Sequence, residues 1–136
     1  MGEDSMTEKL TIWGRVFDLR VAFDYYDEPI PAVMTQAAES FAASSGCVQE
    51  AYSRLEQYCL ENDGSKIASM SHSDGIDNIF RYVMPDYLFV LEPDEERGVM
   101  HRVALMCDYR FDPEEGLALI FEDERFKEIC PQSAAY

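Results

Sequence analysis

Apolar and polar residues alternate along residues 11–25. Trp13, Phe17, Leu19, Val21, Phe23 and Tyr25 take odd positions, and Asp18, Arg20 and Asp24 take even ones. A period of two puts one set on a buried face and the other in water, which predicts an antiparallel strand. Gly14, near the start of this run, marks a bend or bulge that divides a short first strand from a longer second.

The period changes after Asp27-Glu28-Pro29, where acids beside prolines suit the positive end of a helix. Val33, Ala37 and Phe41 recur four apart with Met34 and Ala38 beside them, and Ser44-Ser45-Gly46 ends the stretch. A second helix carries Val48, Tyr52, Leu55 and Cys59 on one stripe, with Glu50, Arg54, Glu56 and Glu61 outside. Asn62-Asp63-Gly64-Ser65 reads as its terminator, and two helices joined by a short polar break predict an antiparallel pair. Residues 67–70 fit either element type. Ser73 or Asp74 is placed to cap a short third helix with Ile76, Ile79, Phe80 and Val83 inward, closed by Pro85.

The last third is β-prone. Residues 87–91, 99–111, 117–121 and 126–130 are apolar runs separated by short segments rich in turn residues, which predicts a four-strand antiparallel meander. The run from Val99 is apolar on both faces at its middle, as a central strand would be. The expected fold is therefore α+β: a mostly antiparallel sheet, built from an N-terminal strand or hairpin plus the C-terminal meander, with two to three helices packed on one face. The expected domain covers residues 10–132, after a disordered acidic N-terminus at 1–9 and before a C-terminal tail at 133–136.

Composition narrows the function. The chain has 136 residues with 47% hydrophobic and 12% aromatic, enough for one packed core and incompatible with wholesale disorder. A net charge of -16, from 27 acids against 11 lysines and arginines, excludes nucleic acid and anionic membrane as expected partners, because a phosphate surface needs clustered cations. The start of the chain lacks the basic and apolar segments of a secretory signal, and no apolar run reaches the roughly eighteen residues of a membrane span, so a cytoplasmic location is expected. The four cysteines, Cys47, Cys59, Cys107 and Cys130, form no C-x-x-C pair. Cys47 and Cys59 read as one helix with about 18 Å between them, beyond the about 7 Å a disulfide spans. Buried thiols in a reducing compartment is the expected state.

Candidate chemistry is thin. His101 and Cys107 lie six residues apart on one predicted strand, which separates them by about 20 Å, so they make no nucleophile–base pair. His72 sits in a polar loop. Asp108, Asp112, Glu114 and Glu115 cluster around one turn, but without the alternate-position spacing of a calcium loop, and they read better as a solvated hairpin closed by Gly116. No catalytic residue, metal ligand or cofactor motif is expected. Tyr25, Tyr82 and Tyr87 are the candidates to line a pocket between helices and sheet. The acids, in contrast, are unevenly spread. Asp94, Glu95 and Glu96 fall in the first meander turn and Glu122, Asp123 and Glu124 in the third, and those two turns belong at the same end of the sheet. Glu114-Glu115 belongs at the other. Such an end carries a negative field able to steer a basic protein onto it.

The run Cys107-Asp108-Tyr109-Arg110-Phe111-Asp112-Pro113-Glu114-Glu115-Gly116-Leu117-Ala118, with a hairpin ending Glu128-Ile129-Cys130-Pro131-Gln132, resembles the ending of a family of uncharacterised bacterial domains. Some members are regarded as candidate immunity proteins of polymorphic-toxin systems. The chain differs from that pattern in the extra Arg110-Phe111 pair and in Cys130. The resemblance implies a small cytoplasmic binding protein, with a basic toxin domain as the kind of partner, and brings no catalytic residue with it. The expectation is a non-enzymatic protein-binding, immunity-like module using its acidic surface. A small-molecule-binding or enzymatic domain is the alternative, and a homodimer through an exposed strand edge is compatible with either.

Overall fold

The computed structural model describes residues 6–44, 46–71, 76 and 78–135. Its first element is a hairpin of β1 (Met6–Ile12) and β2 (Arg15–Phe23), paired antiparallel with Ile12 opposite Arg15. Of the strand or hairpin expected here the chain forms the hairpin, its strands joined by Trp13 and Gly14, whose φ values of 50° and 85° are both left-handed. Such a two-residue turn matches the twist of a hairpin. The indole of Trp13 donates to Val48 O at 3.1 Å and sits 5.8 Å from the Phe80 ring, and these contacts offset the strain of a non-glycine residue there. β1 begins at Met6, four residues before the expected boundary at 10. Pairing of Met6 with Val21 and Thr7 with Arg20 supplies ladder bonds that the acidic composition of the segment gave no sign of.

Residues 24–31 carry the two prolines, and α1 starts only at Ala32 (Ala32–Ala43), so Asp27 and Glu28 precede its first turn. The residue before a proline avoids helical backbone, and Pro31 therefore forces the start beyond Ile30. Met34, Ala37, Ala38 and Phe41 face inward, as their spacing predicts. The second expected helix is α2 (Gly46–Glu50) and α3 (Tyr52–Ser71), interrupted at Ala51, so Cys47 and Cys59 lie on different helices. Asn62-Asp63-Gly64-Ser65 bends α3 instead of ending it: Asp63 leaves helical geometry at φ −138°, ψ 27°, and the helix resumes. Ile67, fully buried beyond the bend, supplies the reason, because its burial rewards a further turn. The helices pack on strands more than on one another, α1 over β1, β3 and β4 and α2 over β6, in place of the expected antiparallel pair.

The proposed caps Ser73 and Asp74 lie outside the described residues. The third helix is a single 3₁₀ turn, Ile79–Arg81, capped by the side chain of Asn78 accepting from Phe80 N at 3.1 Å. Pro85 does not close it. Pro85 lies within β3 (Val83–Leu91), beside a register shift between Pro85 and Tyr87, where a residue without N–H costs the ladder least. β4 (Arg102–Tyr109), β5 (Leu117–Glu122) and β6 (Arg125–Cys130) complete the meander. The sheet order is β1-β2-β3-β4-β5-β6, all antiparallel except β2 with β3, whose connection contains α1, α2 and α3.

β4 is the central strand its composition predicts, apolar on both faces. Val103, Leu105, Cys107 and Tyr109 join the core beneath the helices, where Phe41 of α1 meets Phe121 of β5 with centroids 4.8 Å apart. Ala104 and Met106 face the other way, into a smaller cluster with Leu91, Ala118 and Ile120. The C-terminal segment helps to close that cluster. A 3₁₀ turn (Gln132–Ala135) brings Ala135 against it, Gln132 Nε2 donates to Cys107 O at 3.0 Å, and Glu115 accepts from Ser133 N at 2.7 Å.

Candidate functional site: the acidic end of the sheet

The β3–β4 loop doubles back through paired backbone bonds between Asp94 and Val99 and turns at Gly98, with φ 73°. The β5–β6 connection is a tight turn with Asp123 and Glu124 at φ 49° and 62°. Left-handed backbone at two consecutive positions again fits a two-residue hairpin, and aspartate tolerates it better than most residues. Antiparallel succession places both turns at one end of the sheet, and side chains weld them into a single plate.

Arg97 is the rivet. Its Nε donates to Asp94 Oδ2 at 2.6 Å, while its two terminal nitrogens grip Glu122, at 3.1 Å to Oε1 and 2.6 Å to Oε2. A planar guanidinium engages a carboxylate in this forked way and ties down both partners. Lys127 Nζ adds a bond to Glu122 at 3.3 Å. Asp123 Oδ1 accepts the backbone N–H groups of Met100, at 3.2 Å, and His101, at 2.9 Å, and Glu124 lies 2.7 Å from His101 Nδ1. From beside the turn, Glu50 of α2 accepts from Arg125 Nε and from Phe126 N, both at 3.2 Å.

These contacts set the charges. The Arg97 guanidinium holds the carboxyls of Asp94 and Glu122 below the usual carboxylate range, with Lys127 assisting at Glu122. Glu50 is lowered by the Phe126 N–H and then by Arg125.

Of the six acids expected to form a surface, Asp94 and Glu122 share Arg97, and Asp123 and Glu124 bond to the Met100–His101 segment. Glu95 and Glu96 stand exposed on the same loop with no side-chain partner among the described residues. Glu114 and Glu115 are at the opposite end, as the meander requires. Sequence reasoning missed Arg97, Arg125, Lys127 and His101. Their proximity in sequence to the acids was visible, but that Arg97 reaches Glu122 across 25 residues was not.

Elsewhere the chemistry is quiet. Burial pushes the thiols of Cys47 and Cys59 up to about 11 and that of Cys107 further, leaving them protonated and inert as nucleophiles. Among the described residues no group of three or more His, Cys, Asp or Glu gathers as a metal site would. Tyr25, Tyr82 and Tyr87 do not converge on a cavity. Tyr25 packs at the margin of the main core and Tyr82 is buried within it, stacked on Phe111, while Tyr87 lies across the sheet with Phe89 and the smaller cluster. Among the described residues no helix is long and apolar enough to cross a membrane.

No curated protein and no solved structure matches the chain. One family does, over residues 4–136, which is nearly the whole length. The chain is therefore a member of the domain-of-unknown-function family DUF6985.

Proposed function

We propose that this domain works by binding rather than by catalysis, presenting the acidic end of its sheet to a basic protein in the cytoplasm, as a bacterial immunity protein masks a toxin domain. The observation that carries the reading is the rigid plate of two turns: Arg97 and the backbone bonds to Asp123 fix its shape, while Glu95 and Glu96 face water. Six carboxylates in the two turns stand against Arg97, Arg125 and Lys127, so negative charge remains in excess there. A preordered charged surface binds with less loss of side-chain freedom than a floppy one, and its field accelerates encounter with a cationic partner.

The test uses the double variant Glu95→Lys/Glu96→Lys, at exposed positions whose side chains have no partner among the described residues. Extract from the source cell is passed over immobilised wild-type and variant protein at low and high salt. The reading requires a basic protein that the wild type retains at low salt, that salt releases, and that the variant fails to hold. Equal retention by the two proteins, or no salt-sensitive partner, removes it. Self-association through the outer strands β1 or β6 is compatible with this function and is read out by light scattering.

A further inference from the structure

At the end of the sheet opposite the acidic turns, a depression of about 250 Å³ is lined by Phe80, Arg81, Tyr82, Met84, Tyr109, Arg110, Pro113 and the acid Asp108. Three segments build it. The 3₁₀ turn delivers Arg81, Arg110 follows directly on β4, and the loop beyond it delivers Pro113. Arg110 N donates to Tyr82 O at 2.8 Å, which holds the two arginine-bearing segments side by side.

The two arginines are exceptional in this chain. Acids outnumber cations 27 to 11, and the other nine lysines and arginines each hold a carboxylate, a carbonyl or an aromatic ring. Arg81 and Arg110 hold none of these among the described residues, although carboxylates abound. Two guanidinium groups without a partner among the described residues, beside an apolar hollow, are a recognition geometry: the forks pair with an anionic head while Phe80, Met84 and Pro113 cover an apolar body. Asp108 on the same rim sets a limit, because it repels a second negative charge.

We infer that Arg81 and Arg110 form a binding site for a small organic monoanion with an apolar body, an aromatic carboxylate in type. The site is independent of the proposed acidic surface, which lies at the other end of the molecule. Amide chemical shifts of the full-length protein are followed against benzoate, against neutral benzamide and against inorganic phosphate, which lacks an apolar body. Benzoate is expected to shift amides around Tyr82, Tyr109 and Arg110 saturably in the millimolar range, with benzamide and phosphate weaker. Arg81→Ala/Arg110→Ala, two exposed positions whose loss leaves the core intact, is expected to weaken benzoate by about tenfold or more, whereas Lys9→Ala leaves it within about twofold. No saturable shift, a response to benzamide or phosphate equal to that for benzoate, or unchanged binding in the double variant would overturn the inference. None of these results bears on Glu95 and Glu96.

Discussion

Gly116 is the residue whose identity the fold constrains most directly. Its φ is +65°, and a Cβ there would stand 2.6 Å from Gln132 Nε2 and 2.7 Å from Cys107 O. Those atoms form the hydrogen bond that docks the C-terminal turn, so Gly116→Ala has to break it or strain β4. Gly116→Ala is expected to lower unfolding stability by about 2 kcal/mol or more in urea titrations. Gly64→Ala meets nothing within 4 Å and is expected to be neutral or to raise stability by up to about 1 kcal/mol. Tyr109 makes the second decisive contact. Its hydroxyl donates to Asp63 Oδ2 at 2.5 Å and so holds the bend of α3 against the end of β4, while burial and then this acceptor push the phenol well above its usual range. Tyr109→Phe is expected to cost about 1–2 kcal/mol, because it removes the bond across to β4 and leaves the Asp63 carboxylate to Lys66 of its own helix, at 3.4 Å, and to raise amide exchange around residues 62–66. Gly116 was legible as a turn glycine from Asp-Pro-x-x-Gly. Asp63 was legible only as a helix breaker, since its partner is 46 residues away.

At the scale of elements, α1 is fastened to the sheet by one apolar stripe. Phe41 is 1% exposed and packs on Phe121, itself 1% exposed and in ring contact with Phe126 at 5.7 Å. Phe41→Ala is expected to cost about 3–5 kcal/mol in denaturant titration, a large share of the stability of a domain this size. The stripe of α1, the hairpin and the meander were readable because their periods repeat over several residues, and burial enforces a period. The boundaries were not. β1 starts at Met6 because β2 offers it a ladder, β3 takes in Pro85 because a register shift lies beside it, and α3 passes Gly64 because Ile67 finds a buried place beyond it. Each outcome depends on a partner strand or cavity distant in sequence.

For the molecule as a whole, ionisation links stability to pH from both sides. Asp94, Glu122 and Glu50 have depressed folded values, so their contribution is complete above the carboxyl value of the unfolded chain, about 4, and is lost as pH falls below it. The thiols and the Tyr109 phenol run the other way. Their folded values are raised, Cys47 and Cys59 to about 11, so the unfolded chain ionises first and stability declines as pH rises above about 8.5. Urea midpoints measured from pH 3 to 10 are expected to form a plateau between these limits, and a midpoint that keeps rising above pH 9 would contradict the buried-thiol assignment. Sequence alone determined the α+β class, the period-two pattern of the first segment, the meander, the two-faced central strand and the clustering of acids in turns. These follow from local periodicity, turn chemistry and composition, which act between near neighbours. Only the tertiary structure decided that β2 and β3 lie parallel, that Arg97 locks the acidic turns together, that the chain's end seals the smaller apolar cluster, and that Arg81 and Arg110 share one hollow. Those relations join residues far apart along the chain, and the free energy that selects them comes from burial and pairing that exist only once the whole sheet has closed.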